Sequence, residues 1–179
     1  YAATKVAADA LAFSFYYSFD LPVIVLRPFN SYGPRQSARA VIPTIITQIL
    51  DKNNVIKLGS LFPLRDLTFV KDTVEGYITA LESDNCFGEV INIGFGADIS
   101  IEQLAFFIAK IMNVNIEIAT EKERTRSSKS EVARLVADNK KAKQLLGWQP
   151  RYSLEAGLRE TIEWFRSNYL AYKSNIFNV

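Results

Sequence analysis

Four short apolar runs, Val23–Leu26, Val55–Leu58, Leu67–Val70 and Val90–Ile93, alternate along this 179-residue chain with stretches of helical periodicity. This alternation constrains the fold more than any other feature. Val23–Leu26 has no polar face, as expected of a parallel strand covered on both sides. Residues 1–19 read as a helix rich in Ala, Phe and Tyr, ended by Leu21 and Pro22. Pro43 sits where it can open a helix through Ile45, Ile46 and Ile49. Asp72 and Glu75 give a capping-box-like start to a helix carrying Val74, Tyr77, Ile78 and Leu81. Ser100 and Gln103 form a second box, ahead of the apolar face Ile101, Leu104, Ala105, Ile108 and Ile111. Asn115–Ile118 reads as a further strand. Lys140–Leu146 reads as a short helix stopped by Gly147. A last helix carries Leu154, Leu158, Ile162, Phe165 and Tyr169. Strands alternating with helices predict an α/β fold with a mostly parallel sheet. Asn30–Pro34 reads as a loop.

Composition narrows the chemistry. There is no histidine, and Cys86 is the only cysteine. Ser-His-Asp and Cys-His catalysis, His- or Cys-based zinc sites and disulfide scaffolds are thereby excluded. A reducing, cytoplasmic setting is expected, with no metal. The 21 basic and 19 acidic residues give a net charge of +2 without a basic block. Neither nucleic acid nor an anionic membrane is suggested, and no apolar run approaches the roughly 20 residues of a membrane span.

Acid-base work then falls to Tyr, Lys, Asp or Glu. Tyr1 and Lys5 lie four residues apart, on one helical face. A free Tyr titrates at about 10, so it acts as a base near neutrality only if an ammonium or another cation favours its phenolate. The same spacing recurs at Tyr169 and Lys173, where no loop chemistry follows, and that copy reads as a surface coincidence. Only the first copy is followed by a buried strand and a loop, Arg27–Pro34, at a carboxyl-terminal strand end, where α/β proteins bind ligands.

Other charged residues read more blandly from spacing alone. Arg65 is suited to clamping a diphosphate, but a surface pair with Asp66 or a satisfied loop charge is the simpler reading. Asp72 reads as a helix cap. Residues 120–130 are polar and charged, a solvated loop or a ligand-contacting one. Gly94 and Gly96 flank one residue after a strand, too short a spacing to cradle a pyrophosphate. The aromatic set Phe13, Phe15, Tyr16, Tyr17 and Phe19 covers more than one helical face. It is read as core in preference to a helix–helix dimer seam.

In their joint order, Tyr1–Lys5, Arg27–Gln36, Ile42–Pro43, Arg65–Asp72, Asn92–Gly94, Arg126–Val132 and Asp138–Pro150 resemble the extended short-chain dehydrogenase/reductase family of nucleotide-sugar epimerases and dehydratases. Leu58–Asp66 and Ser130–Val132 look most like the GDP-mannose-type and legionaminic-acid-pathway 4,6-dehydratases. The resemblance implies NAD as cofactor, a nucleotide-sugar substrate and a homodimer. It implies Tyr1 as catalytic base and Lys5 as the residue that holds the nicotinamide ribose and activates Tyr1. Asn30 would contact the sugar diphosphate, Arg65 would clamp it, and Arg126 with Glu131 would lie at the nucleotide end. Ile42 and Pro43 would line the nucleoside pocket.

The architecture implied is the C-terminal part of a Rossmann-type parallel sheet plus a small α/β substrate-binding domain. Residues 1–37 would end the NAD-binding domain. Residues 38–179 would be mainly the substrate-binding domain, with 71–94 returning to the Rossmann sheet. In the family the glycine-rich phosphate loop, the Ser/Thr helper and the dehydratase's acid/base carboxylate precede the Tyr. None is in this sequence, which opens at Tyr1 inside an apparent helix. The chain is therefore expected to be the C-terminal portion of a longer enzyme and inactive by itself. The activity expected of that enzyme is an NAD-dependent NDP-hexose 4,6-dehydratase; the alternatives are an NDP-sugar 4-epimerase or decarboxylase, or a non-catalytic sugar-nucleotide-binding fragment.

Overall fold

The computed structural model describes residues 1–124, 131–169 and 172. In chain order the elements are α1 (Ala2–Phe19), β1 (Val25–Pro28), β2 (Asn30–Tyr32), α2 (Val41–Leu50), β3 (Val55–Leu58), β4 (Leu64–Arg65), β5 (Leu67–Phe69) and α3 (Val70–Leu81). Then come β6 (Val90–Ile93), β7 (Ile99–Ser100), α4 (Ile101–Met112), β8 (Glu117–Thr120), a 3-10 turn (Lys122–Arg124), β9 (Arg134–Leu135), α5 (Lys140–Leu146) and α6 (Leu154–Ser167). The expected α/β class is borne out. Parallel pairs form between β1 and β6, β2 and β5, and β3 and β8. A three-stranded sheet adds β4 between an antiparallel β7 and a parallel β9.

Two hydrophobic clusters hold these layers. The larger is built from helical stripes. α2 contributes Ile42, Ile45, Ile46 and Ile49, α4 contributes Leu104, Ala105, Ile108 and Ala109, and α6 contributes Leu158, Ile162 and Phe165, all buried. Each set recurs at three- and four-residue intervals, so each helix turns one apolar face inward. Gly157 lets α6 lie against β2 and β5, because a Cβ there would stand 2.2 Å from Tyr32 Oη. The smaller cluster joins Ile91 and Ile93 of β6 to Cys86, Ala142 and Trp148.

Polar hooks fix the edges. Gln48 of α2 is buried, donates to Lys57 O at 3.2 Å and accepts from Lys57 N–H at 2.9 Å. One side-chain amide thus serves the free edge of β3 as a neighbouring strand would. At the start of α4 both halves of the expected Ser100–Gln103 capping box form.

Asp72 is not the expected helix cap. β5 runs directly into α3, so the helix starts at Val70 and Asp72 falls inside its first turn. There it is buried, and its carboxylate accepts from Arg151 N–H at 2.9 Å and Tyr152 N–H at 3.1 Å. The helix N-terminus favours that negative charge, and the carboxylate anchors the chain that leads into α6.

Three further expectations shift. Asn30–Tyr32 is strand, because β5 offers it a parallel ladder. β1 and β8 each sit two residues later than the apolar runs suggest, in the registers their partners set. The aromatic set on α1 is not core: no residue of that helix is buried, and Tyr17 and Phe19 are exposed. Among the described residues, no helix is long and apolar enough to cross a membrane.

Tyr32 carries a pH prediction. Its ring is buried, its hydroxyl donates to Leu154 O at 3.2 Å, and burial, helped by the Asp72 charge, pushes its pKa well above the ordinary tyrosine value. Above pH of about 10 the unfolded chain releases this proton while the folded chain keeps it, so stability falls as pH rises. Chemical denaturation at neutral and alkaline pH is expected to show Tyr32→Phe about 1 kcal/mol less stable at pH 7, from the lost hydrogen bond. Its stability should fall less steeply than the wild type's above pH of about 10. Parallel alkaline slopes would show that Tyr32 does not control this loss.

Candidate substrate-binding cleft

A cleft of about 390 Å³ opens between the start of β2 and the ends of β3 and β4. Asn30 and Ser31 line one side, Gln36 and Arg39–Ile42 the rim, Leu58–Ser60 the floor, and Arg65, Arg124 and Glu131 the far wall. The structure therefore brings together Asn30, Arg65 and Glu131, three of the residues singled out from sequence, with Ile42 beside them. Arg126 lies outside the described residues.

Arg65 is not the surface partner of Asp66. The two are neighbours on an extended segment, so their side chains leave opposite faces. Arg65 turns to the cleft. Its Nη1 donates to Leu64 O at 2.9 Å and Val132 O at 2.6 Å, and its Nη2 to Glu131 Oε1 at 2.7 Å. The side chains of this pair are only 16% and 11% exposed. A pair so enclosed is held in one geometry by several donors, unlike an open surface bridge, which contributes little.

Asp66 turns inward and is fully buried. Its carboxylate accepts from Phe95 N–H at 2.9 Å, Gly96 N–H at 2.8 Å, Ala137 N–H at 3.1 Å and the Thr68 hydroxyl at 3.2 Å. Gly96 has φ +87°, a left-handed conformation that suits glycine, and it lets two successive N–H groups converge on one anion. The loop too short for a pyrophosphate is thus an anion nest after all, filled by the chain's own carboxylate. Asp66 O also accepts from Asn30 Nδ2 at 3.1 Å. One residue therefore ties the position of Asn30 to that of Arg65.

The remaining wall is charged and internally paired. Glu121 accepts from Arg124 at 2.8 Å and pairs with Lys57 at 2.9 Å. Those hydrogen bonds, Arg124's foremost, hold its carboxyl below the usual glutamate range. Gly59 makes room for this wall, since a Cβ there would meet Arg124 O at 2.3 Å.

Tyr1 and Lys5 stand on the first turns of α1, not among the residues that line the cleft. Lys5 Nζ lies 5.4 Å from the centre of the Tyr1 ring, so the pair shares one face as the spacing requires. Tyr1 is 93% exposed. Asp9, one turn beyond Lys5, accepts from Arg27 and ties α1 to β1.

Residue types and spacing did not single out Gln36, Arg39, Ser60 or Arg124, whose roles in the wall depend on a loop and on a segment distant in sequence. Asp66 carried one signal, a carboxylate set between Leu64 and Leu67 in a short strand-like run.

Comparison with known proteins accords with this layout. Residues 1–161 match the family model described as GDP-mannose 4,6 dehydratase. A dTDP-D-glucose 4,6-dehydratase of Mus musculus is 31% identical over 177 residues, covering 97% of this chain and 49% of that protein. The solved structure of Pal from Bacillus thuringiensis superposes with TM-score 0.81 at 38% identity, covering 94% of this chain and 53% of that one. A UDP-glucuronic acid 4-epimerase from Bacillus cereus, solved with UDP-glucuronic acid and NAD, superposes with TM-score 0.84 at 30% identity, covering 93% and 52%. The chain spans about half the length of the curated relatives it matches. The resemblance drawn from the ordered motifs is borne out: the chain belongs to the GDP-mannose 4,6-dehydratase family of nucleotide-sugar dehydratases and epimerases.

Proposed function

We propose that this chain is the substrate-binding part of an NAD-dependent NDP-hexose 4,6-dehydratase, which forms a 4-keto-6-deoxy sugar nucleotide. The observation that carries the reading is the cleft that Asn30, Arg65 and Glu131 line together. In this reading residues 1–37, with 71–94, belong to the cofactor-binding sheet, and most of 38–179 forms the substrate domain. Asn30 and Arg65 face the diphosphate, and Glu131, with Arg126, faces the nucleoside end. Ile42 and Pro43 lie on the nucleoside side.

The residues present fit one end of NAD. Tyr1 and Lys5 offer a phenol and an ammonium side by side on an accessible turn, suited to a ribose and to a reacting sugar hydroxyl. The Gly94–Gly96 nest offers no phosphate cradle, because Asp66 fills it. When bound, NAD supplies reversible hydride acceptance. Tyr1 Oη takes the proton of the sugar C4 hydroxyl, and the Lys5 ammonium favours the phenolate that does so. Arg65, held by Glu131 and two carbonyls, keeps the diphosphate end in register, so that binding far from the reacting carbon fixes its position. The exposed aromatic face of α1 supports a homodimer as part of the same proposal.

A second reading, 4-epimerisation, uses the same Tyr1–Lys5 pair and is favoured by the similarity to the UDP-glucuronic acid 4-epimerase. Incubation of the enzyme with NAD and GDP-mannose, dTDP-glucose or UDP-glucuronic acid separates the two. A product lighter by one water, with a C4 ketone, supports the dehydratase. A product of unchanged mass and inverted C4 supports the epimerase. A product lighter by carbon dioxide from UDP-glucuronic acid sinks both in favour of a decarboxylase, and binding with no product sinks both and supports a non-catalytic module.

A further inference from the structure

The rim of the cleft is held in an unfavoured backbone conformation. Arg35, between β2 and α2, has φ +66°, a left-handed value that is costly for a residue carrying a side chain. Such a residue persists only where its surroundings over-determine it. Gln36, the next residue, supplies the ties. Its N–H donates to Gly33 O at 3.3 Å and its side-chain amide to Ser31 O at 3.0 Å. Both ties are local and lead back toward β2. The third is not: Gln36 O accepts from the Tyr172 hydroxyl at 3.1 Å, across 136 residues.

Tyr172 is anchored from behind. Its ring lies 4.7 Å from that of Phe165 and meets Trp164 edge-on at 5.9 Å, and its N–H donates to Tyr169 O at 3.0 Å. Phe165 is fully buried, and Tyr172 packs against the margin of the larger hydrophobic cluster. The ring is thus fixed by α6 while the hydroxyl reaches the rim. Beyond Gln36 the rim runs to Arg39–Ile42, which line the cleft. Its far end is tied to α2, where the Thr44 hydroxyl reaches Ala38 O at 3.2 Å and Ala40 O at 2.9 Å. Among the described residues, Tyr172 makes the one side-chain hydrogen bond to this rim from outside β2, α2 and the rim itself. Tyr172 does not line the cleft.

We propose that Tyr172 is a positioning residue of the cleft. By holding Gln36 O it keeps the strained turn at Arg35, and with it the rim at Arg39–Ile42, in the arrangement that receives the nucleotide sugar. The inference rests on the reading of the cleft as a nucleotide-sugar site. Tyr172 acts through the backbone of the rim and not by contact with the ligand. By linkage, a ligand that needs this arrangement strengthens the Tyr172 tie as much as the tie strengthens the ligand.

Two measurements on the full chain test this. Limited trypsin digestion, followed site by site by mass spectrometry, reads the rim, because Arg35 and Arg39 are exposed and cutting after them tracks local opening of the loop. Calorimetric titration with UDP-glucose, dTDP-glucose and GDP-mannose reads the ligand. Tyr172→Phe keeps the ring and removes only the hydroxyl. It is expected to speed cutting after Arg35 and Arg39 by about two- to tenfold, and to weaken the probes that the wild type binds by a similar factor. Its melting temperature should fall by no more than about 4 °C. A merely structural tie would move that temperature without moving the affinity of the folded chain. Saturating the wild type with a bound probe should slow both cuts. Faster cutting with unchanged affinity, weaker binding with unchanged cutting, or a variant equal to the wild type in both overturns the positioning role and leaves the cleft reading in place. If the wild type binds none of the three probes, the cleft reading falls and this inference falls with it.

Discussion

Replacing Asp66 with Ala is expected to lower stability by about 3–5 kcal/mol, read as a fall in the denaturant midpoint. The substitution strips Phe95, Gly96 and Ala137 of the acceptor that their N–H groups share, at a site closed to solvent. Each buried donor left unpaired costs on the order of 1–3 kcal/mol, reduced where water enters the space. Domains are typically stable by only about 5–15 kcal/mol, so a large part of the margin goes. Asp66→Asn is expected to fall between, because one amide oxygen still accepts while its NH₂ confronts a donor. A loss below about 1 kcal/mol for the Ala variant would mean that these N–H groups find other partners and that the nest is not a structural tie.

Tyr1→Phe is expected to lower turnover of the whole enzyme by about 10²–10⁴-fold, the usual range for a positioned acid-base group. Nucleotide-sugar affinity and thermal stability should hardly change. Tyr1 is 93% exposed and does not line the cleft, so loss of its hydroxyl opens no cavity and removes no cleft contact. That combination separates a chemical role from a structural one, which would move stability and KM together. Steady-state kinetics on the first substrate found to turn over would check it. A kcat within about threefold of wild type would remove Tyr1 from the mechanism.

The elements that were legible in sequence are those whose reason is local. The capping box at Ser100, the Gly147 stop and the apolar stripes of α2, α4 and α6 need only their own residues to explain them, and the structure repeats them. β3 and β6 fall on the apolar runs residue for residue. What was not legible depends on partners far along the chain. Asp72 has the spacing of a cap, but its two donors are at 151 and 152. Asp66 looks like half of a surface pair, yet its donors are at 95, 96 and 137. The aromatic residues of α1 have core-like composition, yet none is buried and Phe15, Tyr17 and Phe19 are exposed, which periodicity cannot report.

At the cleft the same division holds. Asn30 stood out only through the family resemblance, and so did Arg65, whose spacing alone favoured a surface pair or a satisfied loop charge. Gln36 and Arg39 did not. They line the cleft only through the loop between β2 and α2, whose path residue types and spacing do not report.

The three-way tie at residues 65, 66 and 72 also orders the events of folding. Arg65 meets Glu131 across 66 residues, Asp66 meets Ala137 across 71, and Asp72 meets Arg151 and Tyr152 across 79 and 80. Contacts this distant make closure slow relative to helix formation. A chain made from its N-terminus exposes these residues long before their partners exist. The helical layer of α2 and α4 can begin to pack while synthesis continues, but the cleft wall waits for residue 131 and the α6 anchor for residue 152. Interrupted translation ahead of those points would release a chain whose acids sit unpaired and whose cleft is missing one side.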